Sequence, residues 1–271
     1  MSVFGHRAQR GNGVEMAISE GELTQLTRDL GELHESTFPQ VRKAIDELAA
    51  NLGTVVRQPS TRRSFFLGAA GAVALGAAAA CTSRPSGTPA RSSAAQPPAP
   101  AETYPGDLKV VAVATALENL AVSSYEAALK KAGVGELGAV PPAVATFVQT
   151  AMKQHADHAQ AWAAVLSRSG KPPIIDAPLS ITQDQMAKLS AVKSVPDMAT
   201  FALNLENVAA QTYTFAVANV SDPSAIMTAA TIQPVETMHA AILNLIIGEY
   251  PIPDTFIGTG NALKPDTLTV R

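Results

Sequence analysis

Two stretches of this chain repeat each other, and the repeat restricts the fold more than any other feature. Leu117-Glu118-Asn119-Leu120-Ala121 recurs as Leu205-Glu206-Asn207-Val208-Ala209, and each copy carries a tyrosine seven residues after its glutamate, Tyr125 and Tyr213. Further along each unit, His155-Ala156-Asp157-His158-Ala159 corresponds to Glu236-Thr237-Met238-His239-Ala240. Self-similarity of this kind marks a structure built from equivalent units. The surrounding periodicity is helical, and four long helices are expected near 107–132, 141–169, 195–220 and 223–248. Gly133, Gly135 and Gly138 divide the first pair, and Ser221-Asp222-Pro223 divides the second, proline being admissible in a first helical turn. Gly170-Lys171-Pro172-Pro173 ends the second helix, and the longer connection from Lys171 to Val195 includes a short helix at Gln183–Ala191. Two helical hairpins joined by one long crossover make an all-α four-helix bundle over residues 107–250, with an irregular tail over 251–271.

Burial makes three glutamates of this bundle informative. Glu118 is the only charge between Lys109 and Glu126, Glu206 between Asp197 and Asp222, and Glu236 between Asp222 and Glu249. A carboxylate left unpaired among Ala, Val, Leu and Ile costs several kcal/mol or takes up a proton. No lysine or arginine stands nearby in sequence, and a bound cation would remove the cost. Glu236 and His239, three residues apart, project from one helical face, as do His155 and His158. The chain has five histidines; His6 and His34 precede the bundle, and the other three all fall in the repeat.

The N-terminal part is organised differently. Residues 1–60 form an extension with two amphipathic helical stretches over 14–56. Ser19 and Glu22 make a capping box ahead of Leu23, Leu26 and Leu30. Pro39 then interrupts, and Val41, Ile45, Leu48 and Leu52 carry a second apolar face. The segment is too short to build a core alone; a translation start at Met16, a cytoplasmic appendage, and contact with a partner or membrane surface are the alternatives. In 61–81, the pair Arg62-Arg63 precedes an uncharged, Ala- and Gly-rich run ending at Cys81, the pattern of a twin-arginine export signal. A transmembrane anchor is the competing account, but the hydropathy is weak for one. Ala78-Ala79-Ala80-Cys81 resembles a lipoprotein cleavage box in which the cysteine is acylated, with Ala78 in the usual place of leucine. A Ser-, Pro- and Ala-rich linker over 82–106 buries too little to fold and is expected to be a tether. The single cysteine excludes an intramolecular disulfide framework, and 20 basic against 23 acidic residues leave no basic stripe for nucleic acid.

The glutamate and histidine order resembles that of the ferritin-like di-iron carboxylate superfamily, especially its exported bacterial members. The family pattern is Glu, Glu-x-x-His, Glu, Glu-x-x-His, held inward by a four-helix bundle. The resemblance covers about 107–248 and implies a dinuclear iron or manganese site, with zinc or a single ion as alternatives. It assigns Glu118 and Glu206 as terminal carboxylates, Glu236 as the bridge, and His158 and His239 as ligands of one ion each. His155 departs from the pattern, standing where the second bridging glutamate is expected. It either ligates or gives an outer hydrogen bond to a carboxylate; Asp157, about 100° around the helix from His158, is a poor substitute. Tyr125 and Tyr213 are read as core residues with bonded hydroxyls, or as electron relays, and Trp162 as core. The implied chemistry is iron oxidation, or reduction of oxygen or peroxide. The competing function is a non-enzymatic bundle with a degenerate site, acting in stress protection or partner binding. The implied partners are the twin-arginine translocase and, through lipid on Cys81, the outer face of the cell membrane; a freely secreted form is the variant.

Overall fold

The computed structural model describes residues 16–57, 103–254 and 256–270. The export-like segment with Arg62, Arg63 and Cys81, and most of the linker, lie outside the described residues. The structure is all-helical. In chain order come α1 (Glu20–Arg57), α2 (Asp107–Gly133), α3 (Pro142–Arg168), α4 (Thr182–Ala191), α5 (Val195–Asn219) and α6 (Pro223–Ile247), then a single 3-10 turn at Pro265–Thr267. Among the described residues the only strand-like pairing is the isolated bridge between Leu179 and Leu268.

Local chemistry sets the helix ends. At α1 the capping box forms as expected: Glu22 N–H donates to Ser19 Oγ at 3.2 Å, and Ser19 N–H donates back to Glu22 Oε2 at 3.2 Å. Ser194 accepts from Asp197 N–H at 3.2 Å to start α5. Asp222 accepts from Ser224 N–H at 2.7 Å to start α6, with Pro223 in the first turn. Asp107 Oδ2 accepts from the Ser221 and Asp222 N–H groups at 2.8 and 2.9 Å, tying the start of the first hairpin to the turn of the second. α6 ends at Gly248, whose φ of 86° lets Glu249 N–H reach the Asn244 carbonyl at 2.8 Å. A Cβ there would also meet the Ala17 Cβ at 3.2 Å. Gly248→Ala is therefore expected to destabilise the fold by about 1–2 kcal/mol, read as a lower urea midpoint; an unchanged midpoint would contradict this account of the turn.

α2 pairs with α3, α5 pairs with α6, and α2 faces α5 across the bundle. The crossover is fastened by Asn119, whose side-chain amide donates to the Ile174 and Asp176 carbonyls at 3.2 and 2.9 Å. The linker expected through 106 is already fixed at Tyr104, which is buried and donates to the Pro172 carbonyl at 3.1 Å. The tail lies over the bundle: Leu263 is buried, and its N–H donates to Thr212 Oγ1 at 2.9 Å.

α1 departs from expectation in two ways. First, Pro39 does not interrupt it; the helix runs unbroken through that residue. Proline removes one backbone donor, but Pro39 and Glu35 are both exposed, so water can reach the carbonyl that loses its partner. Second, α1 is a fifth long helix packed on α3 and α6, its buried side chains continuous with the bundle core. The buried face is Leu23, Thr27, Leu30, His34, Phe38, Val41, Ile45 and Leu48, spaced three or four residues apart across the proline. Leu26, expected on that face, is exposed at 37%, and Thr27 takes its place. Asn51 adds a rim bond to Asp222 Oδ2 at 3.0 Å.

Candidate metal centre

Helical spacing brings the repeat residues to one level of the bundle. Glu118 comes from α2, His155 and His158 from α3, Glu206 from α5, and Glu236 and His239 from α6. All six are at most 1% exposed. They form two clusters that share two members: Glu118, His155, His158 and Glu236, and then His155, Glu206, Glu236 and His239, with ligand atoms in each within 4.8 Å of one another. The structure thus brings together the six residues that the sequence nominated as metal ligands, whereas Arg62, Arg63 and Cys81 lie outside the described residues.

His158 turns Nδ1 toward Glu236 Oε1 at 3.2 Å and Glu118 Oε1 at 3.6 Å. His239 turns Nδ1 toward Glu206 Oε2 at 3.3 Å and Glu236 Oε2 at 3.7 Å. His155 lies between the two halves, with Nδ1 2.7 Å from Glu118 Oε2 and Nε2 3.1 Å from Glu206 Oε1. Both accounts of His155 keep their geometry: each ring nitrogen faces one cluster, and each also contacts a carboxylate.

The pseudo-two-fold relation is visible in the tyrosines. Tyr125, of the first copy, donates to Glu206 of the second, and Tyr213, of the second, donates to Glu118 of the first. Trp162 Nε1–H donates to the Tyr213 hydroxyl at 3.0 Å, so this core tryptophan orients the tyrosine. Burial, then the adjacent carboxylates, hold both phenols well above their ordinary pKa, so they remain donors.

The electrostatics are those of three carboxylates facing three imidazoles. Burial alone would pull His158 down, but Glu118 and Glu236 more than reverse it and leave it at about 9. His155 and His239 are raised for the same reason. Burial would raise Glu118, and His158 and His155 instead bring it to about 2. A histidine pKa raised above the unfolded value of 6.5 contributes stability that is complete below 6.5 and lost as pH climbs through about 9. The metal-free protein is therefore expected to melt at falling temperatures between pH 6.5 and 9. Calorimetry across that window checks it; a melting temperature that is flat or rises contradicts the pairing.

The cluster also fits a cation on independent grounds. His158 Nδ1 and both oxygens of Glu236 are buried and make no hydrogen bond. Buried polar atoms nearly always make hydrogen bonds, and here three that make none converge, with only ion-pair contacts between histidine and carboxylate. Imidazole nitrogen with carboxylate oxygen is a donor set for iron, manganese or zinc.

Two residues at the site were not anticipated. His34, from α1, is buried with Nε2 3.3 Å from His158 Nε2. Burial, then repulsion from His158, lowers it to about 4 and keeps it neutral. Gln154 accepts at Oε1 from His239 Nε2 at 2.7 Å. The available signal for His34 was its place four residues after Leu30 and four before Phe38, at the centre of an apolar face.

An apolar cavity of about 50 Å³ lies beside this centre, walled by Tyr125, Phe147, Met198 and Ala202. Tyr125 stacks on His155 with ring centroids 5.6 Å apart, and Phe147 meets His239 edge-on at 6.3 Å, so the two aromatic rings separate the cavity from the histidines.

No curated protein and no solved structure matches the chain. The family model for the ferritin-like domain matches residues 106–249, which begins just before α2, ends just after α6 and contains all six clustered residues. With that match spanning more than half of its length, the chain belongs to the ferritin-like family.

Proposed function

We propose that this protein holds a dinuclear iron or manganese centre and uses it for redox chemistry, the oxidation of iron or the reduction of oxygen or peroxide. One observation carries the proposal: two four-residue clusters share Glu236 and His155, and His158 Nδ1 and both Glu236 oxygens are buried there without a hydrogen bond. When bound, a pair of redox-active ions supplies one electron each, the two that reduce peroxide to water. The protein's part is placement. Glu118 and Glu206 are terminal carboxylates, each oriented by the tyrosine of the opposite repeat. Glu236 spans both clusters, and His158 and His239 each present Nδ1 to one of them. The apolar cavity behind Tyr125 and Phe147 suits a small nonpolar molecule such as oxygen better than peroxide.

The proposal extends to location. Arg62-Arg63 and Cys81 support export by the twin-arginine translocase and lipid anchoring at the outer face of the membrane. Among the described residues no helix is long and apolar enough to cross a membrane.

A second function is favoured by a specific observation. His155 bonds Glu118 and Glu206 at once, and three imidazolium groups would neutralise three carboxylates without any metal. Such a cluster would make the bundle a structural or partner-binding protein. Elemental mass spectrometry on the full chain, purified without a metal-binding tag, separates the two. Close to two equivalents of iron or manganese per chain support the redox centre. One equivalent points to an altered site around His155, and none after reductive reconstitution points to the ion-paired bundle.

A further inference from the structure

Of the two histidines that face the clusters through Nδ1, one has its outward nitrogen directly against α1, a helix outside the matched 106–249. The other has its outward nitrogen against Gln154 of α3, which in turn bonds α1. His158 Nε2 lies 3.3 Å from His34 Nε2. His239 Nε2 lies 2.7 Å from Gln154 Oε1, and Gln154 Nε2 donates in turn to the Leu30 carbonyl at 3.4 Å. Chemistry sets the direction of these bonds. An imidazole that offers Nδ1 to a cation carries its proton on Nε2, so Nε2 must donate. Gln154 Oε1 is an acceptor by nature. His34 accepts if its own proton sits on Nδ1, and it then makes no demand on the carboxylates. Its ring is fixed by stacking on Phe38, with centroids 4.7 Å apart and planes 20° from parallel. Leu30 and His34 stand one helical turn apart, so a single helix addresses both histidines, one of them through Gln154.

The geometry points to α1 as an outer part of the metal centre, in which His34 sets the tautomer and ring orientation of His158 directly and the Leu30 carbonyl sets those of His239 through Gln154. His34 is a positioning residue, since it touches His158 and none of the carboxylates. The inference rests on the metal-binding function proposed above. Outer partners of this kind change metal affinity by about 10–100-fold. Because α1 precedes Arg62, Arg63 and Cys81 in the chain, cleavage before Cys81 would sever the covalent link between α1 and the six inner residues and leave packing alone to hold the helix.

The test uses the full chain and cobalt(II), whose visible spectrum reports the geometry of its ligands. His34→Leu keeps apolar bulk against Phe38 and removes the acceptor; His34→Gln restores an acceptor oxygen. The leucine variant is expected to bind cobalt about 10–100-fold more weakly with an altered visible spectrum. The glutamine variant is expected to recover most of both. In the metal-free protein, the slowly exchanging Nε2–H signal of His158 should be lost in the leucine variant, whose melting temperature stays near that of the wild type. Wild-type affinity and spectrum in His34→Leu would overturn the positioning role, as would equal losses in the leucine and glutamine variants. Absence of cobalt uptake by the wild type would sink the metal-binding function itself, a distinguishable failure.

Discussion

Glu236→Leu is expected to abolish metal retention while leaving the helices folded. Glu236 belongs to both clusters, so one substitution strips an oxygen from each. Its Oε1 lies 3.2 Å from His158 Nδ1, and its Oε2 lies 3.6 Å from His155 Nδ1 and 3.7 Å from His239 Nδ1. The loss should exceed the roughly 10–100-fold effect of an outer partner. Folding should survive because the groups that the lost carboxylate leaves behind are imidazoles, which can become neutral. Removing one partner of a buried ion pair costs about 3–5 kcal/mol where the charge left behind must stay ionised. The histidines it leaves behind can shed their protons, as a buried lysine or arginine could do only with more difficulty. The checks are metal-to-protein ratio and thermal melting of the metal-free form. A variant with wild-type metal content would refute the assignment of the site, and one that fails to fold would refute the electrostatic account.

His155→Glu is expected to act in opposite directions on the loaded and metal-free forms. It restores the fourth carboxylate of the family pattern and so should raise iron retained after reductive loading. Without metal it sets four carboxylates against two imidazoles, where the native cluster has three of each. It also breaks the contacts by which His155 joins Glu118 and Glu206, at 2.7 and 3.1 Å. Loss of a buried charged partner costs about 3–5 kcal/mol, so the metal-free variant should melt well below the wild type. Iron retention below that of the wild type would show that His155 is itself needed as a ligand, and an unchanged metal-free melting temperature would show that it carries no charge there.

The inner shell of this site was legible because its evidence is local. A carboxylate alone in an apolar helix, and a histidine three residues from a partner, can be read without knowing what the helix packs against. The repeat then supplied the pairing of helices, since matched residues in equivalent hairpins meet at one level. The four bundle helices fell within a residue or two of their expected ends, because proline, glycine and capping side chains act over a single turn.

The sequence alone determined the helical class, the two-hairpin plan and the six residues Glu118, His155, His158, Glu206, Glu236 and His239. Only the tertiary structure decided the place of α1, the continuity of that helix through Pro39, and the roles of His34 and Gln154. The physical reason is the same for each. An amphipathic face declares that it will be buried but not against which surface, and a lone histidine gains meaning only from the nitrogen 3.3 Å away, which here belongs to a residue 124 positions further along the chain. The cost of a proline likewise depends on whether water reaches the carbonyl it abandons, and that is settled by which side of the helix faces the bundle.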